Sequence, residues 1–280
     1  MPGLPMFDAV FVTRLRDHRS FRLAQATVAT GLRGAGRVLA IVPDAERGTF
    51  ERLPLHATVI PESAVDPRLA ALPSSWFKQQ LLKLCVHRVI EQPAALILDS
   101  DTFLTRPVHA RWFCPDGRVP FYVEDRGGQR HPQWREAAQD VLDHVSAKRW
   151  SYFPTPNFVH GEALTALHDY LGEIWGGDSV DGLIARMGHF TEWMTYGLFI
   201  DELLAEDSPH RLCDVDHVVG LWEREELDAW QPDPEGPPLA VVQSAIGAPW
   251  EVVTAKLRRL PHVAACLRSS SPQPETVAHA

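Results

Sequence analysis

Apolar positions along the chain alternate between short continuous runs and longer stretches at helical spacing. "FDAVFVT" (7 to 13) is apolar at most positions, as a strand buried on both faces requires. "SFRLAQATVATGL" (20 to 32) follows as a helix behind a serine, and "RVLAIV" (37 to 42) as a second strand, which makes a β-α-β unit. "HATVI" (56 to 60) predicts a third strand. "SSWFKQQLLKLCVHRVI" (74 to 90) predicts a serine-capped helix leading into a strand that ends at Asp99. Beyond it, "VPFYVE" (119 to 124), "PNFVH" (156 to 160) and "LAVVQS" (239 to 244) read as strands. Helices are expected at 133 to 148, 161 to 175, 191 to 205 and 249 to 260. The alternation predicts an α/β fold with a Rossmann-like, mostly parallel sheet and helices on both faces. "QPDPEGPP" (231 to 238) is a loop, no internal repeat is present, and the polar segment 269 to 280 is expected to be a disordered tail.

Composition narrows this picture. With 280 residues, 45% hydrophobic and 22% charged, the chain is expected to form one main domain over residues 1 to 268. No apolar run is long enough to span a membrane. The start lacks a basic n-region, so it reads as a first strand rather than a signal peptide, and a cytoplasmic location is expected. The net charge is -9 and the basic residues are scattered, which argues against nucleic acid as a partner. A small phosphorylated ligand needs only a local positive site and stays possible. Cys85, Cys114, Cys213 and Cys266 are widely spaced without a C-x-x-C pattern, and core packing is their expected role. Oligomeric state is not encoded in any of these features.

Candidate chemistry concentrates in "LILDSDTFL" (96 to 104). Asp99 and Asp101 leave an apolar strand one residue apart. On extended chain, residues so spaced point to the same side at roughly 6 to 7 Å, so both carboxylates can meet one cation or one reacting group. A polar turn or helix cap is the other meaning of such acids. In parallel sheets, ligands bind beyond the carboxyl ends of the strands, where this pair would lie.

The motif "DSDTFL" resembles two families. One comprises the haloacid-dehalogenase-type phosphatases, which would make Asp99 the nucleophile, Asp101 the acid/base, Lys148 a phosphate-binding lysine and "GDSVD" (177 to 181) a magnesium motif. That family's motif normally ends the first strand, whereas here several elements precede it. The other comprises metal-dependent glycosyltransferases of the A-type fold, whose Asp-x-Asp follows an apolar strand in mid-sheet. "WFKQQLLKL", "LILDSDTFLTRPV" and "TEWMTYGLFI" resemble, in order, a bacterial branch of these enzymes. Trp193 stands where that branch would have tyrosine.

The second resemblance implies transfer of a sugar from a nucleotide-diphosphate sugar donor to an acceptor hydroxyl, with Mn²⁺ or Mg²⁺ as cofactor. Asp101 would ligate the metal directly, and Asp99 would contact the ribose or the metal. Thr13, Arg14, Asp17, Gln79, Gln80, Lys83 and Ser100 would join Asp99 in holding the donor. Gln79 and Lys83 stand at i and i+4 of a helix and so share a face. Glu192, in the first turn of its helix, would be the general base and Tyr196 an acceptor contact. His160 and His217 are candidates for the metal shell, with a structural role expected for both. A nucleotide-sugar-binding protein without turnover is the alternative from another class.

Overall fold

The first strand is buried at every position, and the reason is visible on both of its sides. In the computed structural model, which describes residues 7–73, 75–125, 132–148 and 150–269, β1 (Phe7–Val12) lies inside a sheet. It is followed by helix α1 (His18–Gly31), β2 (Val38–Val42), β3 (Thr58–Pro61), helix α2 (Trp76–Leu84) and β4 (Ala94–Leu98). Strand β5 (Thr102–Leu104) comes after the acidic pair, then β6 (Val119–Asp125), helix α3 (Pro132–Leu142), β7 (Asn157–His160), helix α4 (Gly161–Trp175) and helix α5 (Glu192–Leu198). Strands β8 (His210–Asp214), β9 (Val218–Leu221) and β10 (Leu239–Val242) and helix α6 (Trp250–Leu257) complete the elements around the site.

Among the described residues the central sheet runs β7-β4-β1-β2-β3. β1 pairs in parallel with β4 and with β2, and β2 with β3, while β7 is antiparallel on β4. This is the mostly parallel sheet that the apolar runs require. Because side chains alternate along a strand, Val10, Val12, Leu39, Ile41 and Ile97 enter a core shared with α2 and α4. Phe7, Phe11, Ala40, Val42 and Leu98 enter a second core shared with α1. Helices therefore cover both faces, and the carboxyl ends of β1 and β4 open side by side.

Among the described residues two three-stranded sheets and a two-stranded one accompany the first: in the larger two, β6 pairs in parallel with β8, and β10 pairs in parallel with β9 and antiparallel with β5. The β5–β10 pairing, Thr102 opposite Val241, brings the end of β10 beside Asp101.

Element ends differ from the sequence reading where tertiary contacts intervene. The helix expected at 133 to 148 stops at Leu142, because Asp143 takes a left-handed φ of 47° that breaks the helical path. The helix expected at 191 to 205 ends at Leu198 and widens into a π turn, Phe199–Leu203. Helix α1 begins at His18, before Ser20. Of the tail anticipated over 269 to 280, Ser269 ends a helix, Pro261–Ser269, and residues 270–280 lie outside the described residues. Cys85, Cys114 and Cys266 are buried as expected, and no disulfide joins the four cysteines among the described residues. No helix among the described residues is long and apolar enough to cross a membrane.

Candidate functional site

β4 delivers Asp99 and Asp101 through a tight turn, in which the Thr102 amide donates to the Asp99 carbonyl at 3.0 Å. Both acids line a cavity of about 350 Å³ with Arg14, Asp17, Ser100, Trp76, Gln79 and the segment Gln243–Ala245. The cavity sits at the carboxyl end of β4, the position anticipated from the sheet.

The two acids are held differently. Asp99 accepts from the Lys83 ammonium at 2.9 Å and from the Thr155 hydroxyl at 3.3 Å. Asp101, 8% exposed, accepts from the Ser244 amide at 2.8 Å, and its own carbonyl accepts from Val242. Burial, and then the negative charge of Asp99, push the Asp101 carboxyl up to about 7. A cation beside the pair would oppose both effects. Hard carboxylate oxygens suit Mg²⁺ or Mn²⁺, and Mg²⁺ typically takes one or two protein carboxylates together with substrate phosphates and water. Among the described residues no group of three or more His, Cys, Asp or Glu could hold a metal. A cation here would therefore depend on donor oxygens beside Asp101 and Asp99.

Lys83 ties the acidic turn to α5. Its ammonium donates to Glu192 at 3.0 Å as well as to Asp99, with Trp193 beside it at 5.8 Å from the ring centroid. Burial opposes its charge, but the Asp99 and Glu192 carboxylates outweigh that and hold Lys83 above the ordinary lysine range. Gln79, one turn before it, reaches the cavity wall. The expected shared face is real, although Lys83 meets the carboxylates and not open solvent. Gln80 turns the other way: it is buried, outside the cavity lining, and its amide has no hydrogen-bond partner among the described residues.

At the end of β1, Arg14 and Asp17 line the cavity and pair at 3.6 Å. Thr13 stands behind them, accepting from the Ser100 hydroxyl at 2.7 Å, so it fixes the acidic turn from below.

Glu192 and Tyr196 sit where the resemblance did not anticipate. Thr191 caps α5 by accepting from the Met194 amide, which places Glu192 in the first turn as expected. Yet Glu192 is only 3% exposed, one oxygen is bound to Lys83, and it does not line the cavity. Glu192 thus faces Lys83 and not the cavity, where a base was expected to meet an acceptor. Tyr196 is fully buried, its hydroxyl accepting from the His160 amide at 2.9 Å and sharing a 2.7 Å bond with His210. It lies in the core and outside the cavity lining, where an acceptor contact was expected. Gly197 completes the packing motif, since a Cβ there would lie 2.3 Å from Tyr152.

Tyr196→Phe should lower stability by about 1–3 kcal/mol, because it strands a buried amide and a buried imidazole. Urea denaturation measures this, and nucleotide affinity should stay at the wild-type level. His160 caps α4, and His217 stacks on Tyr122 with ring centroids 3.4 Å apart. Burial holds both imidazoles below their ordinary range, and neither lines the cavity, in keeping with structural roles.

The phosphatase constellation is not assembled. Lys148 pairs with Asp201 at 2.6 Å, and Asp178 and Asp181 share Arg68. None of these residues lines the cavity. Trp76, Thr155, Gln243 and Ser244 belong to the site without having been singled out. The end of "LAVVQS" carried a signal for two of them, since strand carboxyl ends collect ligand contacts.

A model of a family described as a family of unknown function (DUF6492) matches residues 32–263. No curated protein matches the sequence. Among solved structures, the crystal structure of mouse xyloside xylosyltransferase 1 in its apo form is similar at 14% identity and a TM-score of 0.47, over 87% of this chain and 99% of that one. A crystal structure of the galactosyltransferase LgtC, in complex with donor and acceptor sugar analogues, is similar at 11% identity and a TM-score of 0.49, over 96% of this chain and 98% of that one.

Proposed function

We propose that this chain, which belongs to the DUF6492 family, is a metal-dependent glycosyltransferase that moves a sugar from a nucleotide-diphosphate donor to an acceptor hydroxyl. The observation that carries this reading is the acidic pair at the carboxyl end of β4, with Asp101 open to a cavity and Asp99 fastened to Lys83. The resemblance of the three sequence segments supports it.

In this reading Asp101 and Asp99 would hold Mg²⁺ or Mn²⁺, which when bound supplies Lewis-acid neutralisation of a departing diphosphate. Arg14 offers a second positive group at the cavity wall, suited to donor phosphate oxygens. Asp17 and Ser100 offer acceptors to ribose hydroxyls, and Gln79 an amide to the donor. Lys83 keeps Asp99 aimed, and Glu192 balances the buried ammonium, so both are positioning residues. In the reaction the bond from the anomeric carbon to the diphosphate oxygen breaks and the diphosphate leaves with the electron pair. A bond from the anomeric carbon to the acceptor oxygen forms as that oxygen gives its proton to the departing diphosphate.

A screen of UDP-, GDP- and TDP-sugars with and without Mn²⁺ tests this, reading thermal shift and release of nucleoside diphosphate. At least one donor should raise the melting temperature only with metal, because a ligand of the native state stabilises it. Turnover of simple phosphate monoesters would favour a phosphatase instead. A bound donor that releases nothing with any acceptor would favour a non-catalytic binding protein.

A further inference from the structure

The loop between β1 and α1 turns charged side chains onto the cavity wall and an apolar one away from it. Arg14, Arg16 and Asp17 line the cavity, whereas Leu15 between them does not. The Leu15 side chain packs instead against the core shared with α1. Asp17 pairs with both arginines, Arg14 Nε lying 3.6 Å from one of its carboxylate oxygens and Arg16 Nε 3.5 Å from the other. What fixes this loop comes from outside it. Leu15 opens the short helical turn Leu15–Asp17 that leads into α1, and an amide at such a start has no partner within its own helix. It donates at 2.6 Å to the carboxylate of Glu46, 31 positions away. The Thr13 amide donates to the Ile41 carbonyl at 3.0 Å. Arg14 is therefore flanked by two residues tied to β2 and to the turn that follows it.

Glu46 is itself held. Its amide donates to the Pro43 carbonyl at 2.9 Å, and Phe50, further along the same crossover and fully buried, meets Phe21 of α1 edge-on at 5.8 Å. The carboxylate thus stands on a fixed support, and turning Leu15–Asp17 away from the cavity would first break its charge-assisted bond. We propose that Glu46 is a positioning residue: by holding the Leu15 amide, it keeps Arg14 and Arg16 turned together towards the cavity, where they meet an anion. Taking that anion to be the diphosphate of the donor rests on the transferase reading. The competing reading is an acid that acts through its charge alone, and it predicts the opposite sign. A negative group beside the arginines repels an anion, so its removal would tighten binding. Loss of an anchor weakens it.

The test titrates UDP and GDP with Mn²⁺, and inorganic pyrophosphate, against the full chain by calorimetry. The proteins are wild type, Glu46→Ala and Glu46→Gln, each also in an Arg16→Ala background, and hydrogen exchange reads the Leu15 amide in all of them. Glu46→Ala should bind nucleotide about tenfold more weakly, and its Leu15 amide should exchange faster. Glu46→Gln keeps an oxygen that accepts from the amide, so it should bind at least as tightly as wild type. In the Arg16→Ala background the loss from Glu46→Ala should shrink, because both changes act on one element. The proposal is overturned if Glu46→Ala binds as tightly as wild type or more tightly, if its Leu15 amide stays protected, if Glu46→Gln loses as much as Glu46→Ala, or if the losses simply add. Pyrophosphate binding that needs Glu46, in a wild type that binds neither nucleotide, would sink the transferase reading and leave the anchor standing. A wild type that binds none of the three would sink both.

Discussion

Asp101→Asn should remove the Mn²⁺-dependent part of UDP or GDP binding while leaving the fold at least as stable as wild type. The substitution keeps the side chain's shape, and an amide oxygen can still accept from the Ser244 amide that now donates to Asp101 at 2.8 Å. What it removes is a charge that the site tolerates poorly, since burial and Asp99 push the Asp101 carboxyl up to about 7. The folded-state value lies above the unfolded carboxylate value of about 4, so the native state binds the proton more tightly. Stability from this group is therefore full below pH 4 and is lost as pH rises towards 7. Without metal, the asparagine variant should melt at or above the wild-type temperature at pH 8, and the gap should close towards pH 4.

Metal-dependent binding runs in the opposite direction, because only the ionised carboxylate attracts a cation. In wild type it should strengthen between pH 6 and pH 8, and the variant should lose at least about tenfold in the affinity that Mn²⁺ confers. Calorimetric titrations at the two pH values decide the matter. Equal metal-dependent affinity in both proteins would remove Asp101 from the site.

Lys83→Ala should cost about 3–5 kcal/mol of folding stability, because it strands the buried Glu192 carboxylate without its partner. Side-chain exposures of 7% for Lys83 and 5% for Glu192 leave little water to compensate. A lysine that merely lined the cavity would instead be removed with little change in melting temperature. Lys83→Met combined with Glu192→Gln should recover much of the loss, since neutral side chains of similar size avoid the stranded charge. Donor turnover should fail in both, because Asp99 loses the ammonium that aims it. Urea denaturation of the single and double variants reads the coupling. A single variant as stable as wild type would mean that the Lys83–Glu192 contact is absent in solution. Gln79→Ala is the contrast, with donor affinity weakened and stability kept, since Gln79 only lines the cavity.

Sequence alone determined the strand-helix alternation, the mostly parallel sheet and the place of Asp99 and Asp101. Those are local properties: buried strands are apolar at most positions, helices repeat near 3.6 residues, and an acidic turn after a central strand must open at the sheet's carboxyl end. Lys83 and Gln79 on one face, and Thr191 as a cap, were legible for the same reason. Tertiary structure alone decided which partners those residues meet. Glu192 is 109 positions from Lys83 and Ser244 is 143 from Asp101, and no periodicity relates residues so far apart. The segment "TEWMTYG" shows the difference most sharply. Its spacing placed Glu192 and Tyr196 on one helical face, but packing against Tyr152, His160 and His210 turned that face into the core. The stack of Trp76, Trp134 and Phe153 arises likewise from α2, α3 and the loop before β7, because separate segments meet only when the sheet and its helices have closed around them.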